Sequence, residues 1–192
     1  MYNDSKIAGL FLAIGSVLCV LGIITAEALY PGYSTSENYI SDLGVGPSAL
    51  IFNSSVFLLG VLTVCGVYFI QKAFSLKLFS ILAAIAGIGA MGVGLFPEDA
   101  GMIHVAFSLI TFLFAGITAM TSYKLEKPPL SCLSIMLGAM SLVALVLFSS
   151  GIYLGLGKGG MERMIAYPAL LWMLGFSGHL MSDNRNVRAS EK

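Results

Sequence analysis

The sequence predicts an all-α membrane protein, a single domain over residues 1–192 built as one bundle of six transmembrane helices with both termini in the cytoplasm. Three observations lead there. The chain is 57% hydrophobic and only 10% charged, with a mean hydropathy of +0.91, whereas soluble domains carry about 25% charged residues. Six apolar stretches reach the ~20 residues needed to cross a bilayer. Lys6, Lys72, Lys77, Lys124, Lys127, Arg185, Arg188 and Lys192 flank one side, and only Lys158 and Arg163 the other. That bias assigns the richer side to the cytoplasm and places the protein in the cell membrane.

The predicted spans are residues 7–30, 48–69, 78–96, 102–123, 130–156 and 164–181, joined by short connections that make neighbours antiparallel. The first could be mistaken for a cleavable signal peptide, with Lys6 ahead of it and Ala26-Glu27-Ala28 at its end. Its apolar run is longer than a signal core, and Asp4 weakens the positive start, so it is expected to stay as a span. Small residues recur at packing spacing in the third span (Ala83, Gly87, Ala90, Gly94) and in the fifth (Ser131, Ser134, Gly138, Ser141). The fourth carries a more polar face of His104, Ser108, Thr111, Ala115, Thr118 and Ser122, which either packs or lines a path. No acid or base lies in the middle of any span, as ion-coupled carriers usually require.

Net charge is zero and there is no basic stripe, so nucleic acid is not an expected partner. Cys19, Cys65 and Cys132 read as small buried hydrophobes, with no CxxC pair. The sequon Asn53-Ser54-Ser55 falls inside a predicted span and is discounted as a glycosylation site.

Chemistry should gather on the outer side, at residues 30–46 and two further turns. Six of the ten acids map there: Glu27, Glu37, Asp42, Glu98, Asp99 and Glu162. Glu27 lies in the last turn of an apolar helix, where a charge should face protein or a water pocket. Asp99 suits the N-cap of the fourth helix. His104, about one turn into that helix, should look into the bundle. Arg163 opposes the dipole at the start of the sixth helix and needs a negative partner, either a carboxylate or a phosphate headgroup. Glycines 157, 159 and 160 read as a flexible turn, and no P-loop follows. His179, four residues before Asp183, reads as structural.

Asp42, Glu98 and His104 are the candidate catalytic core, as metal ligands or as metal-free acid–base groups. With a single outer histidine, a divalent metal would be an oxygen-preferring ion such as magnesium, calcium or manganese. Arg163, Glu162, Glu27 and Ser41 are the candidate ligand-binding residues. Ser41 could also serve as a nucleophile, although no base stands next to it in sequence, and neither GxSxG nor HExxH occurs.

The run YPGYSTSENYISDLG, then GVGLFPED with His104 five residues after Asp99, then GGMERMIAYP resembles an archaeal and bacterial family of six-span membrane proteins, domain of unknown function 998. The resemblance covers nearly the whole chain. It implies six spans and a polar outer-face site and supplies no activity. The ISDLG element is more distantly similar to eukaryotic membrane families linked to autophagy modulation and GPI-anchor remodelling. Intramembrane ceramidase-like hydrolases offer an analogy of placement, but their three histidines are missing here. The expectation is an outer pocket for a lipid headgroup or similar ligand, with membrane lipids as partners and hydrolase or transferase chemistry as an extension. The rival readings are a small-solute carrier or channel and a non-catalytic scaffold or receptor.

Overall fold

The computed structural model describes residues 3–182. Six helices carry the fold: α1 (Asp4–Leu29), α2 (Ala49–Phe74), α3 (Lys77–Leu95), α4 (Met102–Thr121), α5 (Leu130–Ser149) and α6 (Gly157–Ser182). All six are long and apolar enough to cross a membrane, and no strand occurs among the described residues. Arg185, Arg188 and Lys192, which contribute to the predicted orientation, and Asp183 lie outside the described residues. Each helix packs on its neighbour in sequence, and α6 returns to α1, so the six close into a ring. One end of the ring carries residues 30–48 and the turns before α4 and α6. The other end carries Asp4 and Ser182.

The packing is that of a membrane bundle. Glycines let backbones approach: a Cβ at Gly60 would lie 2.5 Å from the carbonyl of Gly87 across α2 and α3, and one at Gly138 would lie 2.6 Å from that of Gly116 across α5 and α4. Serine hydroxyls bind backbone carbonyls between helices: Ser5 to Leu180 and Ser16 to Leu170 at 2.9 Å, and Ser141 to Ile165 at 2.7 Å. The last bond falls close to Pro168, where α6 lacks a backbone donor. Outside, large apolar side chains such as Leu21, Leu50, Ile81 and Val146 are more than half exposed, which in water would be a liability and in lipid is the expected surface.

Several boundaries depart from expectation for identifiable reasons. The fifth span ends at Ser149 and does not continue to 156. Gly151 adopts φ 71°, and the bonds from Gly151 N–H to Phe148 and from Ile152 N–H to Leu147 close the helix as a Schellman motif. The sixth span begins at Gly157, seven residues early, so glycines 159 and 160 are helical and do not form a flexible turn. Asp99 does not cap α4. It sits exposed in the separate 3-10 turn Glu98–Ala100, and Gly101 occupies the cap position without a side-chain bond. Cys19 is buried as expected, but Cys132 is exposed on the outside of α5.

Candidate functional site

At the loop end, residues 30–48 form a lid seated on the first turns of α6. Gly159 N–H donates to the carbonyl of Ser36 at 2.9 Å. A Cβ at Gly159 would collide with the carbonyls of Asn38 and Thr35, so this glycine serves close approach. The buried Glu162 carboxylate accepts the amide of Ile40 at 2.6 Å. That amide opens the 3-10 turn Ser41–Gly44, where a negative group satisfies free backbone donors.

Arg163 points elsewhere. Its guanidinium donates to the carbonyls of Thr35 and Gly159, both at 3.0 Å, to Tyr33 Oη at 2.7 Å and to Glu27 Oε1 at 2.5 Å. Contrary to expectation, Arg163 does not begin the sixth helix but lies nearly two turns inside it, where burial and not the helix dipole calls for a negative partner; that partner is Glu27, from α1. Both side chains are largely buried, 10% and 20% exposed. Tyr33 passes its own proton to the carbonyl of Tyr39 at 2.7 Å, and burial pushes its phenol up to about 12 against the opposing influence of Arg163.

A second group forms where the lid meets the turn before α4. Asp42 Oδ2 accepts from Asn38 Nδ2 and from the amide of Tyr39, each at 2.9 Å. Its carboxyl also shares a hydrogen bond with that of Glu98, and the Ser41 side chain reaches Glu98 as well. Burial opposes ionisation of Asp42. The bonds from Glu98, Asn38 and Tyr39, with the charge of Lys158, nevertheless hold it below the usual carboxylate range. Glu98 goes the other way: burial first, then the bond to Asp42 and the charges of Asp42 and Glu162, raise it to about 7. The pair thus holds one proton near neutrality, the pattern of two carboxyls that cannot both ionise at close range.

His104, 6% exposed, completes the group. Its Nδ1 lies 2.8 Å from the carbonyl of Phe96. A carbonyl can only accept, so Nδ1 carries a proton, and Nε2 is the nitrogen left to exchange one. Ser41, Glu98, His104, Ser108 and Glu162 line one cavity, of about 440 Å³. Its wall is completed by Tyr39 from the lid and by Val105, Leu109, Leu145 and Phe148 from α4 and α5. Val105 and Leu109 are about half exposed on the outside of the ring, so the cavity reaches the lateral face between α4 and α5.

The structure therefore sorts the candidates into two groups. Glu98, His104, Ser41 and Glu162 line the cavity, with Asp42 beside Glu98 but outside the lining, while Glu27 and Arg163 form a separate ion pair beneath the lid. Among the described residues no three His, Cys, Asp or Glu side chains converge as ligands for one ion. Four participants escaped the sequence reading: Tyr33, Asn38, Tyr39 and Ser108. The aromatic residues interleaved with Asn38 in a loop crowded with acids were the available signal. Ser108, one turn below His104, was visible as part of a stripe read as packing or as the lining of a path, and not as a partner of His104.

Residues 13–179 match the family model described as Protein of unknown function (DUF998). The chain belongs to this family. The resemblance carried by the three motifs is thereby borne out, and the match takes in every DUF998 residue of the two groups above. No curated protein and no solved structure matches the chain.

Proposed function

We propose that this DUF998 protein binds a membrane lipid, or a similar amphiphile, by its headgroup in the cavity between the lid, α4 and α6, and that this cavity opens on the outer leaflet. The observation that carries the reading is the side opening of a cavity with an acid–base pair at its wall: a polar group can reach Glu98 and His104, with Asp42 behind Glu98, without leaving the membrane. The volume falls within the ~300–1,000 Å³ of ordinary ligand pockets. Acidic lining, with Arg163 already committed to Glu27, favours a head that carries an amine or donates hydrogen bonds over one that offers only phosphate.

Hydrolysis of an ester-type headgroup linkage is the chemistry this set equips. His104 Nε2 takes a proton from water as the water oxygen bonds to the reacting centre. The bond to the leaving oxygen breaks, that oxygen receives the proton of Glu98, and His104 restores it through solvent. A carrier is less favoured. Below Ser108 the interior lining is almost wholly apolar, and Thr63 and Thr111 turn their hydroxyls to their own helices, bonding Leu59 and Phe107 at 2.7 Å.

Native mass spectrometry of detergent-purified protein, with and without chelator, tests the reading. A co-purifying lipid is expected, reduced about tenfold by Glu98→Gln or His104→Gln in variants that melt normally. Lipid retained equally by both variants, or no lipid at all, would refute it. A stoichiometric divalent ion lost to chelator would replace the metal-free acid–base chemistry with a metal site at Asp42, Glu98 and His104.

A further inference from the structure

The cavity does not end at its polar wall. Ser41, His104, Ser108, Phe112 and Glu162 are shared with a second, narrow space that descends inside the ring of helices. Its volume is about 100 Å³. Its sides are apolar and come from every helix except α5: Cys19 and Ile23, Val56, Ala90, Phe112, and Ala166 with Leu170. The indole of Trp172 stands at its lower end, its Nε1–H bonded away to Ser122 at 3.1 Å.

Two physical points select an occupant. A water or polar solute needs two to four polar partners to be held in a cavity, and below Ser108 this slot offers only the hydroxyls of Thr63 and Thr111, whose protons are already bound to Leu59 and Phe107 of their own helices. An apolar cavity of this kind is instead a place for hydrocarbon. Its length follows from α6. Ten residues separate Glu162 from Trp172, which at ~1.5 Å per residue is roughly 15 Å, half of the ~30 Å hydrocarbon core of a bilayer. The slot is thus as deep as one leaflet, carries Glu162 and His104 at one end, and communicates there with the opening between α4 and α5. Helix α4, which forms that opening, buries the smallest share of its length among the six.

We propose that the ligand is an amphiphile with a single hydrocarbon chain, held with that chain inside the ring between Ser108 and Trp172 and its head among Ser41, Glu98 and His104. The inference rests on the headgroup reading above and names its substrate class. A second chain would have to stay in the surrounding lipid, so single-chain amphiphiles should bind in preference to two-chain lipids with the same head.

Trp172 is the only tryptophan in the sequence, which makes the floor of the slot its own reporter. The probe is a long-chain primary amine brominated at the chain end, titrated against the full chain in nanodiscs of unbrominated lipid. Quenching should saturate near one equivalent. It should weaken about tenfold when Ala166→Phe plugs the slot, with Ala90→Leu as a second plug should the first not fold. A short-chain amine of the same head should bind by mass without quenching. Bound amine that is sensitive to Glu98→Gln but leaves Trp172 unquenched would overturn the chain inference while leaving the headgroup reading intact. Quenching that rises linearly and ignores both plugs would overturn it too. Saturable, plug-sensitive quenching that is unchanged in Glu98→Gln and His104→Gln would uphold the chain site and refute the head site.

Discussion

Replacing Arg163 with methionine separates a lid anchor from a ligand contact. The side chain makes four hydrogen bonds, to Glu27, Tyr33 and the carbonyls of Thr35 and Gly159. Its removal strands a carboxylate only 20% exposed. Breaking a buried pair from one side costs about 3–5 kcal/mol. Partial exposure of Glu27 places this case at the lower end, about 3 kcal/mol. For a chain of this size each kcal/mol is worth ~2–4 °C, so the melting temperature should fall by roughly 6–12 °C. Hydrogen exchange of residues 30–48 should accelerate together with it. The double variant Arg163→Met with Glu27→Gln should recover part of the loss, because the uncompensated charge is gone, and the cycle should show coupling of ~1–3 kcal/mol. An unchanged melt combined with lost lipid binding would refute this reasoning and return Arg163 to the headgroup role that its sequence position suggested.

The Asp42–Glu98 pair predicts a pH response. Glu98 is raised from 4.5 to about 7, so the bond it donates is fully present below its unfolded value and is lost as pH rises through about 7. Glu98 is only half buried, which cuts the apparent effect to about 1–2 kcal/mol. Melting temperature should therefore decline between roughly pH 5 and 8, and Glu98→Gln should flatten the decline; a profile indifferent to the substitution would refute the shared proton. Gly159→Ala should destabilise by about 1–3 kcal/mol through overpacking against the lid carbonyls, read as faster exchange at residues 34–40. Wild-type exchange there would show that the lid does not depend on this seat.

Most of the frame was legible because it rests on composition. Six runs of apolar residues can form little else in a bilayer, where unpaired backbone is costly. The site was legible by residue type and only partly by pairing. That Arg163 needed a negative partner was expected from a helix start that in fact lies at Gly157, so the need arises from its burial. That the partner is Glu27 did not follow, since the two are 136 positions apart and meet only because α6 closes on α1. Asp99 was misjudged because it lies just before α4, while the cap itself falls to Gly101. Glycines 159 and 160 were read as freedom, when Gly159 marks a tight contact. Both errors come from reading locally a position whose role is set by another part of the chain.

The division of labour between Glu162 and Arg163 bears on how a ligand enters. Adjacent residues on a helix point about 100° apart. Here Glu162 faces the cavity and holds Ile40, while Arg163 faces α1 and holds Tyr33 and Thr35. Together with Gly159 they fix the lid at three successive places on α6, and Asp42 fixes it again on Glu98. A ligand arriving from water would have to break several of these contacts at once. A ligand arriving from the side meets Val105, Leu109, Leu145 and Phe148, apolar side chains that can change rotamer without losing a hydrogen bond. The firmness of the lid and the softness of the α4–α5 wall thus point to the same source, the bilayer, and favour an amphiphile over any solute dissolved outside it.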